Sequence, residues 1–309
     1  MKTVRITLLL ISFAALCVCC DSRGGADLDK IPDNYKKQEE KVKATSFDAR
    51  LGTYNIRVST GDKSDPDNNW DTRKPRLVQS ITENNFDVFG LQEVTTVAQK
   101  DLESELGQIY GFVFFSPYAQ NGVGDKAQGI AYKKSKFKIS DFHYYWVCDT
   151  PDVMTVNDVG ETNYKRGGCC AVLTDLETGL QLFFMNTHGC LNKEPNTKWA
   201  YVYEQMEKRY NTAGLPSFFV GDMNSKPGSS AVNTFLAYWK DSREAATYKT
   251  GPENTFNSFQ HADGASRIDW IFYRGDKVRI KNYVCNNKLY SKLFASDHFP
   301  VYIELTISR

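Results

Sequence analysis

Near the C-terminal end of this chain, Ser296-Asp297-His298 sets a carboxylate beside an imidazole just ahead of the apolar run Val301 to Ile307. Only four histidines occur in 309 residues, so acid/base or metal chemistry has few places to reside. His188 closes a similar run, Phe183-Phe184-Met185-Asn186-Thr187-His188. The pattern recurs elsewhere. Leu51 to Asn55 ends in an amide, Asp87 to Glu93 ends in Gln92 and Glu93, and Phe218 to Asn224 ends in Asp222-Met223-Asn224. In Arg267-Ile268-Asp269-Trp270-Ile271-Phe272 a charge sits inside an apolar run, where an unpaired carboxylate is costly. Taken singly, Asn55 reads as a turn residue and Glu93 as a charge at a helix N-terminus. Six together read as chemistry. Oxygen ligands from Glu, Asp and Asn, without cysteine, describe a site for Mg²⁺, Mn²⁺ or Ca²⁺. Such an ion neutralises phosphate charge and stabilises a leaving oxygen, while a histidine or aspartate positions water.

Those residues must be delivered by the elements that precede them. Strand-like runs are read at 51–58, 87–91, 112–115, 129–132, 137–147, 169–175, 180–187, 217–220, 267–273, 279–285 and 301–307. The clearest helices are Arg73 to Glu83, stopped by Asn84-Asn85, and Thr197 to Tyr210, whose Trp199, Val202, Met206 and Tyr210 form a core stripe. Many strands and few helices predict an α/β fold, a two-sheet sandwich of mixed strands flanked by helices, with the polar strand ends gathered along one rim.

At this point the chain resembles the endonuclease/exonuclease/phosphatase superfamily, with its deoxyribonuclease I-like fold, over residues 47–309. Tyr54-Asn55, Leu91-Gln92-Glu93, Asn186-Thr187-His188, Gly221-Asp222-Met223-Asn224, Ile268-Asp269-Trp270-Ile271 and Ser296-Asp297-His298 stand in the family's order. The resemblance implies hydrolysis of a phosphodiester or phosphomonoester by in-line water attack with a divalent metal. It implies Glu93 as main ligand, with Asn55 and Asp297 completing the shell. Asp222 and Asn224 would hold the attacking water and a phosphate oxygen, or a second metal. His298, oriented by Asp269, and His188 would meet the phosphate, as would Arg166 and Asn55. Two departures stand out: Gly189-Cys190 replaces the Leu-Asp that many secreted relatives carry after the histidine, and Asp125-Lys126-Ala127-Gln128 does not align with their acidic residue before the next strand. His143 and His261 match no motif. Relatives use the loops near Asn69-Trp70 and after Tyr144-Tyr145-Trp146 to rim the cleft, although core packing is the default for Trp146.

The chain carries 38 basic and 37 acidic residues, a net charge of +1. Lys2 and Arg5, followed by an apolar stretch to Val18, form an export signal over residues 1–20. Its removal leaves the balance at −1, which argues against coating nucleic acid and leaves nucleic acid only as a substrate. Cys17, Cys19 and Cys20 suggest a lipoprotein signal, Cys20 being the candidate anchor and Cys19 the alternative. Residues 21–46 read as a flexible tether and 47–309 as one domain. The expectation is an exported monomer, a cell-envelope lipoprotein or otherwise secreted. Cys148, Cys169, Cys170, Cys190 and Cys285 are read as buried thiols with one disulfide among them at most. Two rival classes remain: a catalytically inactive surface ligand-binding module on the same fold, and a covalent hydrolase using Cys190, around which no nucleophile elbow is present.

Overall fold

The computed structural model describes residues 44–60, 64–155 and 165–309. The expected signal, and the tether up to residue 43, lie outside the described residues. The elements run β1 (Ser46–Asn55), α1 (Trp70–Asn84), β2 (Val88–Val94), α2 (Thr96–Leu106), β3 (Tyr110–Phe115), β4 (Ala127–Lys133), β5 (Phe137–Trp146), β6 (Gly167–Asp175) and β7 (Gln181–His188). They continue as α3 (Lys193–Tyr210), β8 (Ser217–Asp222), α4 (Ser230–Tyr238), β9 (Lys240–Asp241), α5 (Ser242–Ala245), β10 (Tyr248–Thr250), β11 (Asp269–Arg274), β12 (Val278–Cys285) and β13 (Val301–Ser308).

Two mixed sheets result, ordered β10-β12-β13-β1-β2-β4-β3 and β5-β6-β7-β8-β11-β9. Each has a parallel pair at its heart, β1 with β2 and β7 with β8. Strands buried on both faces explain the nearly continuous apolar runs. In β2, Val88 faces the other sheet with Leu51, Ile130, Met185 and Val220, whereas Phe89 and Leu91 face α1 and α2 through Leu77, Ile81 and Leu102. Gly90 lies where the other sheet packs tightly against β2: a Cβ there would stand 2.5 Å from Asn186 Oδ1. That amide stitches the sheets together, donating to Leu91 O and Gly129 O while its oxygen accepts from Gln92 Nε2 at 2.7 Å.

Helix α1 ends as read: Asn85 adopts φ 52° and caps Ile81 O. Helix α3 starts four residues before the predicted start, because Asn192 and Pro195 suit a first turn. Its Trp199, Val202 and Met206 are buried, as expected of a core stripe. Trp146 and Trp70 are buried too, with indole N–H groups bonded to Pro117 O and Asp101 Oδ2. Neither rims the cleft. Cys148, Cys169, Cys170, Cys190 and Cys285 are buried, and among the described residues no disulfide joins any two of them. Burial pushes the thiols of Cys169, Cys170 and Cys285 well up, away from nucleophilic use.

Candidate active site

Strand register assembles the first half of the site. His188 pairs with Asp222 across β7 and β8, and Asp222 with Asp269 across β8 and β11, so three strands present one row of titratable groups. Gly221 makes that row possible: at φ 145° it passes so close to Thr187 that a Cβ would meet the carbonyl oxygen at 2.1 Å. His298 enters from the loop before β13. Its Nδ1 lies 2.8 Å from Asp269 Oδ2, to which Thr255 Oγ1 also donates at 2.5 Å. The two Nε2 atoms flank a single oxygen, Asp222 Oδ2, at 3.5 Å from His188 and 3.7 Å from His298. Asp222 thus places a carboxylate beside His188, which Gly189-Cys190 does not supply along the chain.

The first sheet supplies the second half. Glu93 sits in an irregularity between β2 and β4 at φ 62°. Its Oε1 accepts from Asn55 Nδ2 and its Oε2 from Val58 N–H at 2.9 Å. The Asn55 amide also donates to Asp222 Oδ2 at 3.0 Å, while its oxygen accepts from Arg57 N–H. Asn55 therefore lies beneath the cleft and ties a carboxylate of one sheet to a carboxylate of the other. Four non-glycine residues of the cleft wall, Arg57, Glu93, Lys126 and Asn224, have positive φ. Such backbone costs about 1–3 kcal/mol a residue and clusters at sites that need it.

The surrounding cleft has a volume of about 670 Å³. Of the nine residues expected from the sequence, Glu93, Arg166, His188, Asp222, Asn224, Asp297 and His298 line it. Asn55 and Asp269 lie directly behind, bonded to residues that do. Sequence reasoning missed other members of the wall. Arg57 pairs with Asp297 at 3.2 Å, and Lys126, Lys165, Lys226 and Gln128 also face the cavity. Asp125 does not; its carboxylate accepts from Thr96 N–H at the start of α2. Also missed was Arg73, fully buried in α1, whose guanidinium donates to the carbonyls of Ile56, Arg57, Val58, Asn68 and Ala295. It clamps the turn bearing Arg57 to the loop bearing Asp297. Its spacing in α1 matched the helix, but nothing announced its partners. His143 stacks on Tyr210 outside the cleft, and residues 156–164 of the loop after β5 lie outside the described residues.

The electrostatics separate the two imidazoles. Burial lowers His188, and Arg166 lowers it further, so it falls to about 3 despite Glu93. Burial would lower His298 as well, but the charges of Asp269 and Asp222 outweigh it and lift the group to about 10. Burial and then the Asp269 charge push the Asp222 carboxyl up to about 7, against His298 and the Asn224 N–H. Burial alone would raise Glu93, yet it ends lowered, to about 2. The lowering comes first from the neighbouring His188, then from the Val58 N–H, His298 and Asn55. Burial raises Asp297, with Glu93 adding to the effect and His298 and Arg57 opposing it.

A divalent ion fits this chemistry. Glu93 and Asp297 are oxygen donors that repel one another across the cleft, and each carboxylate keeps lone pairs beyond its present bonds. Asp222, Asp269 and His298 also offer ligand atoms within 4.8 Å of one another. In that group the short His298–Asp269 contact is a hydrogen-bonded dyad, so the first pair suits a hard cation better.

Comparison with known proteins places the fold and the family. The sequence profile of the Endonuclease/Exonuclease/phosphatase family matches residues 52–298. The crystal structure of a family protein from Bacteroides thetaiotaomicron superposes with a TM-score of 0.79 at 25% identity, covering 86% of this chain and all of the other. A mannosyl-6-phosphatase from the same species gives 0.75 at 26% identity, covering 83% and 99%. Nocturnin of Drosophila melanogaster is 24% identical over 277 residues, 75% of this chain. The chain spans about two fifths of that relative's length, 41%.

Proposed function

The chain belongs to the Endonuclease/Exonuclease/phosphatase family, and from that premise we propose that it is a divalent-metal-dependent phosphoric ester hydrolase acting by in-line water attack. The observation that carries this reading is the convergence of two imidazoles of opposite protonation preference on one oxygen, Asp222 Oδ2. Asp222, held near 7, takes the proton of the attacking water at that oxygen, with Asn224 beside it. His298, kept protonated by Asp269, donates to a phosphoryl oxygen. His188, neutral, and Arg166 bind the remaining oxygens. Glu93 and Asp297 would hold the divalent ion, Mg²⁺, Mn²⁺ or Ca²⁺, with Asn55 bracing Glu93 from beneath. When bound, the ion offsets the charge that develops on phosphate and leaving oxygen.

A small phosphate ester is the favoured substrate over nucleic acid. The near-zero net charge supports this, as does a relative that is a mannosyl-6-phosphatase. The protein acts as an exported monomer anchored through Cys20, a reading that labelling with a lipid precursor tests. For the chemistry, phosphomonoesters, phosphodiesters, phospholipids and DNA are assayed with and without chelator. Turnover of a small ester that chelator abolishes and Mg²⁺ restores is expected. Unchanged hydrolysis by Glu93→Gln or His298→Ala would sink the assignment, and metal-independent silence would favour an inactive binding module.

A further inference from the structure

We propose that Thr255 is a positioning residue for the reaction: its hydroxyl holds the Asp269 carboxylate in the rotation that presents Oδ2 to His298. This rests on the hydrolase reading for the role of His298 and names the group that keeps the imidazole aimed. Thr255 is fully buried, in the segment between β10 and β11. The direction of each hydrogen bond at its hydroxyl follows from a count. Oγ1 accepts from the main-chain N–H of Ile268 at 3.1 Å and of Asp269 at 3.0 Å. A hydroxyl has two lone pairs and one hydrogen. With both lone pairs taken, the hydrogen has one place to go, Asp269 Oδ2 at 2.5 Å. Donation of a neutral hydroxyl to a carboxylate is charge-assisted, stronger than a bond between neutral groups.

That same oxygen faces His298 Nδ1 at 2.8 Å. The other, Oδ1, is buried and meets no hydrogen-bond partner among the described residues. Both donors to the carboxylate therefore fall on one oxygen, and one of them is the ring that the carboxylate has to orient. Thr255 is the anchor that does not depend on His298. Its own place is fixed from both sides. The Thr255 N–H donates to Ser266 O at 2.8 Å, three residues before Asp269, and its carbonyl accepts from the Phe299 N–H at 2.7 Å, next to His298. Phe256 forms an isolated bridge with His298 and sets its ring edge-on to the imidazole, with centroids 5.0 Å apart. These main-chain bonds survive a change of side chain at 255, whereas the hold on the carboxylate does not. A small misplacement of an acid/base group is enough to slow catalysis by one to two orders of magnitude, about 10–100-fold.

The test uses Mg²⁺-supplemented protein with para-nitrophenyl phosphate and its bis-ester. Thr255→Val keeps the shape and removes the hydroxyl; it should lower kcat by about tenfold and leave KM within about twofold, because the lost bond lies behind the cleft. Thr255→Ser keeps the hydroxyl and should stay within about threefold of the wild-type kcat. An unchanged kcat in Thr255→Val, or equal losses in the two variants, overturns the proposal while leaving the hydrolase reading standing. Thr255→Val also strips two main-chain N–H groups of their acceptor, so a double-mutant cycle separates positioning from loss of structure. In an Asp269→Ala background no carboxylate is left to hold, and Thr255→Val should there cost less than about twofold. A second tenfold loss in that background would make the role structural and overturn the proposal. If the wild type hydrolyses neither ester, that counts against the hydrolase reading and not against Thr255, which proton NMR then reads directly. A downfield Nδ1–H resonance of His298 is expected in the wild type and Thr255→Ser, and its broadening by exchange in Thr255→Val. Its absence from the wild type, or equal resonances in all three proteins, overturns the proposal.

Discussion

His188 and His298 lie on opposite flanks of the same oxygen, at nearly equal distances, and both are buried. One faces Arg166 and the other faces Asp269. Burial acts downward on both, and Arg166 lowers the first further, whereas the charges of Asp269 and Asp222 outweigh burial at the second and raise it. Residue type and burial therefore do not set the role of a histidine; the charge directly behind it does.

The most severe way to break the comparison is to delete each imidazole. His298→Ala should lower kcat/KM by about 10³-fold, in the range for a lost acid/base, and His188→Ala by markedly less. Equal losses in steady-state assays would show that the two flanks are interchangeable. Next in size, Asp269→Asn should cost about two orders of magnitude and alter the pH profile. Removing the charge that lifts His298 most lets the imidazolium deprotonate at lower pH, so the alkaline limb moves down. An unmoved limb would detach Asp269 from His298.

A third test costs no activity. In chelator-treated protein near pH 7, nitrogen-detected NMR should find His298 as imidazolium and His188 as neutral imidazole. The linkage signs follow. His298, raised above its ordinary 6.5, contributes stability that is complete below 6.5 and lost as pH rises through about 10. His188, lowered, contributes stability present above 6.5 and lost as pH falls towards 3. The smallest effect sharpens the contrast by exclusion. Asp87 is also perturbed: burial would raise it, but Lys136, the Arg50 N–H and Lys133 hold it below its usual range, far from any histidine pair. Asp87→Asn should lower Tm by a few degrees at neutral pH and leave kcat/KM unchanged. The gap should begin to close as pH falls below about 4 and vanish only once pH has fallen through the lowered folded-state value, where the wild-type carboxylate is also neutralised.

The polar strand ends were legible because Asn, Glu, His and Asp are unusual closures for apolar runs. Strands β4 to β8 and β11 to β13 begin and end within about two residues of where alternation and β-branched content put them. The fold class followed from the same count of elements. Harder to read were residues of ordinary type with long-range partners. Thr255 behind Asp269, Gln128 in the wall and the pairing of Arg57 with Asp297 depend on contacts that local spacing does not encode. Helix α2 left a signal that went unused, Thr95 as cap and Ala98, Leu102 and Leu106 along one face. The depth of Asn55 was hidden for a different reason. An amide at a strand end looks the same whether it faces a cavity or lies under it.

The clamp made by Arg73 has an evolutionary consequence. It grips main-chain oxygens of residues 56–58, so it is indifferent to which side chains that turn displays. Side chains at positions 57 and 58 can change without touching that clamp, provided residue 57 accepts φ 59° and residue 58 keeps the N–H that holds Glu93. Arg73 itself has no such freedom, since a lysine offers a point charge where a planar fork of donors is required. One helix residue thus separates the shape of a binding rim from its composition, and diversification of substrate choice can proceed without renegotiating the floor beneath it.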